Sequence, residues 1–74
     1  MRDTAVTVRD DLPFRFVWKG QQVSVLEIAD AWRETGRWWN GEDVCEFFLI
    51  VAANGSFLLC RDLQTDLWYA KPVQ

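Results

Sequence analysis

Hydrophobic and polar side chains alternate most cleanly in PFRFVWKGQQVSV, residues 13–25. Phe14, Phe16 and Trp18 alternate with Arg15, Val17 and Lys19, which is the period of a half-buried strand. Gly20-Gln21 fits a two-residue II′ turn, which takes glycine first. That turn sets Trp18 opposite Val23 and Phe16 opposite Val25, all on one face. A longer hairpin runs through DVCEFFLIVAANGSFLLCRDLQ, centred on Asn54-Gly55, the strongest short hairpin signal. A I′ turn there pairs Ala53 with Ser56. One face of the hairpin then carries Cys45, Phe47, Leu49, Val51, Leu58 and Cys60. The other carries Phe48, Ile50, Ala52, Phe57 and Leu59, with Glu46 and Arg61 toward the far end. Both faces are apolar, whereas a sheet with one wet face alternates apolar with polar.

The stretch SVLEIADAWRETG supports two readings. Ser24 and Glu27 have capping-box spacing. Val25, Ile28, Ala29 and Trp32 fall at i, i+3, i+4 and i+7, one helical stripe, and Gly36 is placed as a stop. This predicts a strand to about Val25 and a short helix over 27–34, with a bulged continuing strand as the alternative. LQTDLWYAKPVQ predicts a last strand after a turn near Gln64–Asp66. Trp68 and Ala70 point one way there, Leu67 and Tyr69 the other, and Pro72 marks an end or an edge. Residues 1–12 read as a loose arm or an edge strand. The predicted fold is mainly β: one small domain over 13–74, an antiparallel meander of about five strands. It is expected to curl into a partial barrel with the short helix over part of it.

Composition narrows the function. Half of the 74 residues are hydrophobic and 15% are aromatic, enough for a dense core in one small domain. The net charge is −3. Residues 1–37 hold six basic and six acidic side chains, and residues 38–74 hold two basic and five acidic. Neither half makes the basic field of a nucleic-acid binder. No run approaches the ~20 apolar residues of a membrane helix, and MRDTAVTVRDDLP lacks the apolar stretch of a signal peptide. A cytoplasmic protein is expected.

Candidate chemistry is sparse. There is no histidine, so neither a mixed Cys/His metal site nor a thiol–imidazole pair is available. On the predicted register Cys60 faces Leu49, which staggers the two cysteines by four positions, about 13 Å. That is too far for a disulfide, and both read as reduced core thiols. Glycines 20, 36, 41 and 55 are scattered and make no phosphate loop. No cofactor and no catalytic residue is expected. The aromatics remain. Trp32, Arg33, Arg37, Trp38 and Trp39 cluster in sequence, and Trp and Arg are frequent interface anchors. Neighbours in a strand point to opposite faces, so the two indoles of GRWWNG cannot share one core. Trp38 is assigned inward and Trp39 outward.

The segment GRWWNGEDVCEFFLIVAANGSFLLCRDLQTDLWY resembles the C-terminal segment of ImuB-type proteins, the non-catalytic, polymerase-like Y-family partners of bacterial mutasomes. The residues that carry the resemblance are Gly36, Trp38-Trp39, Glu46-Phe47-Phe48, Gly55, Arg61-Asp62 and Trp68-Tyr69. Upstream, FRFVWKG and AWRETGRWW resemble a family of short stand-alone bacterial proteins. The chain departs from the ImuB-type pattern at Cys45-Glu46-Phe47, at Cys60 and at Lys71. The resemblance implies a non-enzymatic protein-contact module in translesion synthesis. Its partner would be a mutasome-type polymerase, a RecA-like accessory protein or the sliding clamp. The partner-binding residues are assigned as Trp32, Arg33, Arg37, Trp39, Phe48, Phe57 and Arg61. A homodimer through the second hairpin face is one alternative, and single-stranded nucleic acid stacked on the Trp/Arg cluster is another.

Overall fold

The computed structural model describes residues 2–35 and 44–73. Its strands are β1 (Arg2–Thr4), β2 (Val6–Arg9), β3 (Leu12–Trp18), β4 (Gln21–Ser24), β5 (Glu27–Thr35), β6 (Val44–Ala52), β7 (Gly55–Asp62) and β8 (Trp68–Val73). They form two antiparallel sheets, a five-stranded one in the order β1-β8-β7-β6-β5 and a three-stranded one in the order β2-β3-β4. The mainly β expectation holds. The sheets do not close into a barrel, and of the two readings of the first residues the edge strand is the one the chain adopts: β1 and β2 each lie at the edge of a sheet.

The predicted helix over 27–34 is a strand. β5 pairs with β6 from Glu27↔Val51 to Thr35↔Val44, with a register shift between Ile28 and Asp30. The stripe that suggested a helix is divided between two faces: Ile28 pairs with the inner Ile50 and Trp32 with the outer Phe47, because the extra residue at Ala29 shifts the alternation by one. The bulged alternative is the one the chain adopts.

Each predicted hairpin forms, with its turn one residue earlier than expected. Lys19-Gly20 is the turn between β3 and β4, with φ of 52° and 78°, as a I′ turn requires at both centres. Placing Lys19 at positive φ costs about 1–2 kcal/mol. In return Phe16 pairs with Val23, and both are buried. Between β6 and β7 the pair Ala52↔Gly55 brackets Ala53-Asn54, and it is Gly55 that takes the positive φ, 131°. A third tight turn sits at Asp10-Asp11, both at positive φ; the sequence pattern did not signal it. Moving a two-residue turn by one position changes the pairing by two. Side chains alternate with period two, so every predicted face survives.

The chain changes sheets twice. Between β1 and β2, the Val17 N–H donates to Ala5 O and to Thr4 Oγ1, each at 3.2 Å, and the Thr4 hydroxyl donates to Val17 O. Between β4 and β5, the Val25 N–H donates to Phe14 O at 3.0 Å and the Leu26 N–H to Val51 O at 2.8 Å. These corners fold the small sheet over one face of the large one.

That face is the core. Phe16, Ile50 and Leu59 are fully buried, with Phe48, Ala52, Phe57, Trp68 and Ala70 around them. The Phe57 ring meets Phe16 edge-on at 5.1 Å and Trp18 at 5.5 Å. Phe48 lies 5.7 Å from Trp68. Each large side chain buried here stabilises the fold by about 1.5–3 kcal/mol.

Candidate functional site

The opposite, outer face of the five-stranded sheet is also apolar, and every described strand lies either within the sheet or on its inner side. The register lays side chains across it in rows. One row runs Trp32, Phe47, Cys60 and Tyr69 across β5, β6, β7 and β8. The next holds Leu49 and Leu58 between Asp30 and Lys71, and beyond it lies Val51. Phe47, Leu49, Val51, Leu58 and Tyr69 are half-buried, because flat neighbours shield one another's flanks.

Trp32 sits at the edge of this face, 37% exposed. Its ring stacks on Phe47 at 5.5 Å and 14°, and its indole N–H donates to Glu34 Oε2 at 3.0 Å. The indole is therefore held flat against the sheet, as an interface anchor needs to be. Cys60, in the middle of the row, is buried. Burial pushes its thiol from 9.0 up to about 12, with Cys45, Asp62 and Glu34 adding to the effect. The observed register pairs Phe47 with Cys60, so Cys45 is a diagonal neighbour two positions away rather than four. The two thiols remain unbridged. A thiol so reluctant to ionise is a poor nucleophile.

The assigned site residues do not form one cluster. Trp32 lies on the outer face. Arg33, its neighbour in an extended strand, points to the other side. There Arg33 pairs with Glu46 at 3.1 Å, Glu46 with Arg61 at 3.7 Å, and Arg61 with Asp66 at 2.8 Å. Arg61 also lies 5.5 Å from the Trp68 ring. The two arginines thus close the end of the inner face with ion pairs. Phe48 and Phe57 are in the core, 4% and 3% exposed, so neither presents a surface to a partner. Their side of the hairpin is the one that the small sheet covers. Arg37 and Trp39, with Trp38, lie outside the described residues. The outer-face residues Phe47, Leu49 and Leu58 were visible in the alternation as a second apolar face, but alternation does not say which face is covered.

The β5 edge is blunted by its bulge and by charged side chains at Glu27, Asp30, Arg33 and Glu34, devices that discourage strand-to-strand pairing. Among the described residues no helix is long and apolar enough to cross a membrane. Fold and face together define a small two-sheet β domain with an apolar sheet face that no other described strand covers. The chain belongs to the DUF6504 family, a domain of unknown function, whose match covers residues 1–68. No curated protein and no solved structure matches the chain.

Proposed function

We propose that this protein is a small non-enzymatic interaction module that docks a protein partner on the outer face of its five-stranded sheet. The observation that carries this reading is the row from Trp32 to Tyr69, with Leu49 and Leu58 beside it, on the side of the sheet away from the core. Contiguous surface of this kind marks interaction sites, and aromatic residues dominate their energetics. The raised Cys60 thiol, pushed up to about 12, argues against nucleophilic chemistry on the same face.

The resemblance of residues 36–69 to ImuB-type C-terminal segments supports a setting in translesion synthesis. A mutasome-type polymerase or a RecA-like accessory protein is then the partner. Titration calorimetry of the chain against purified ImuB-type protein, RecA-like accessory protein and sliding clamp tests this. The expected result is saturable binding to one of them, weakened about tenfold or more by Leu58→Lys at a temperature well below that variant's own melting transition. Binding indifferent to Leu58→Lys moves the interface off this face. Binding to none of the three removes the damage-tolerance setting.

A further inference from the structure

We infer that the partner segment is basic: a stretch of protein chain with aliphatic or aromatic anchors flanked by lysine or arginine. This rests on reading the outer face as the docking surface, and it adds what the face selects. The β5 register puts Glu27, Asp30 and Glu34 on the same side as Trp32. Asp62 joins them beside Cys45, and Asp3 beside Tyr69. Lys71, opposite Leu58, is the one base that the register adds among the described residues. Five carboxylates and one ammonium give this face −4, against −3 for the whole chain. The acidity of the protein is therefore concentrated around the half-buried apolar rows of its outer face.

Among the described residues none of these acids is in an ion pair. The ion pairs among the described residues join Arg33, Glu46, Arg61 and Asp66, and the three strand residues of that set belong to the inner side. The outer acids make short-range hydrogen bonds instead, which fix their position without cancelling their charge. Glu34 accepts from the Trp32 indole at 3.0 Å, Asp30 from the Ala31 N–H at 2.8 Å, and Asp62 from the Gln64 N–H at 2.9 Å.

An apolar centre with an acidic rim excludes several occupants. Phosphate backbones are repelled. A two-fold pair of copies through this face would press two −4 surfaces together. A segment with apolar anchors and a basic flank fills the rows and gains from the rim, mostly in association rate and selectivity.

The test uses the full 74-residue chain and three fluorescein-labelled synthetic peptides of equal length, with alternating Leu/Lys, Leu/Glu and Ser/Lys. Fluorescence anisotropy is read at low and high salt. The Leu/Lys peptide is expected to bind, with affinity falling several-fold as salt rises. The Leu/Glu and Ser/Lys peptides are expected to bind at least about tenfold more weakly. The double variant Asp30→Asn/Glu34→Gln, at an exposed edge, should weaken Leu/Lys binding about fivefold with no change in melting temperature. Equal binding of Leu/Lys and Leu/Glu peptides overturns the basic partner while leaving the docking face standing. Equal binding of Ser/Lys and Leu/Lys peptides overturns it too, as charge alone would then suffice. Leu/Lys binding that survives both Trp32→Ala and Leu58→Lys lies elsewhere and overturns both readings. Self-association of the chain that the Leu/Lys peptide does not reverse assigns the face to a second copy and overturns the basic partner.

Discussion

Leu58 and Leu59 are neighbours on one strand, and their side chains meet different surroundings. Leu59 is fully enclosed beneath the small sheet, in the cluster that includes Phe16, Phe57 and Trp68. Leu58 lies on the outer face, half-buried between Leu49 and Lys71. The two faces of this sheet are similar in hydrophobicity and unlike in packing and charge. The inner face is closed by a second layer, and its charges at the far end are paired. The outer face is shielded only by its own neighbours among the described residues, and its acids have no cationic partner there. Similar apolar content therefore meets two environments, and what distinguishes them is the second layer.

The sharpest way to break this comparison is a matched pair of truncations. Leu59→Ala should cost about 2–5 kcal/mol, because a rigid, closed core cannot fill the cavity. Leu58→Ala should cost about 1 kcal/mol, the transfer of a half-buried side chain with no cavity left behind. Urea unfolding measures both, and equal losses would mean that the outer face is as closed as the core.

Cys60 gives the next test, since it is a buried point on the open face. Its thiol ionises near 9.0 when unfolded and near 12 when folded. Between those values the unfolded chain binds fewer protons, so stability falls as pH rises from about 9 to 12 and is unaffected below that window. Urea midpoints at pH 8 and pH 10.5 should therefore separate in the wild type and separate less in Cys60→Ala. Equal separations would show that the centre of the outer face is wet.

Smaller effects sharpen the edges of the comparison. Trp32→Ala should cost about 1 kcal/mol through lost stacking on Phe47, while abolishing most of the fluorescence response to a bound peptide. Arg33→Ala should cost less than about 1 kcal/mol, since its pair with Glu46 is exposed, and high salt should erase the difference. A larger, salt-independent loss would make the ion pairs part of the core rather than its rim.

The alternation along the chain located β3, β4, β6, β7 and β8, and it sorted their residues onto two faces correctly. It did so even though both hairpin turns lie one residue earlier than the strongest turn signals. Shifting from Gly20-Gln21 to Lys19-Gly20, or from Asn54-Gly55 to Ala53-Asn54, changes the partners by two and leaves the faces intact. The candidate site was less legible. Trp32 and Arg33 were grouped as neighbours in a Trp/Arg cluster, yet the extended strand turns Trp32 to the outer face and Arg33 to the inner one. Phe48 and Phe57 were placed on the partner side and are core.

The sequence by itself determined a small β domain with two apolar hairpin faces, because a period of two is a local property that survives errors in register. Tertiary structure alone decided which face is inside, because that depends on where Phe16 and Trp18 land against Phe57, far along the chain. It also decided that residues 27–35 extend and bulge rather than coil. A short stripe with helical spacing cannot hold a helix when an unpaired strand edge offers a full ladder of backbone hydrogen bonds beside it.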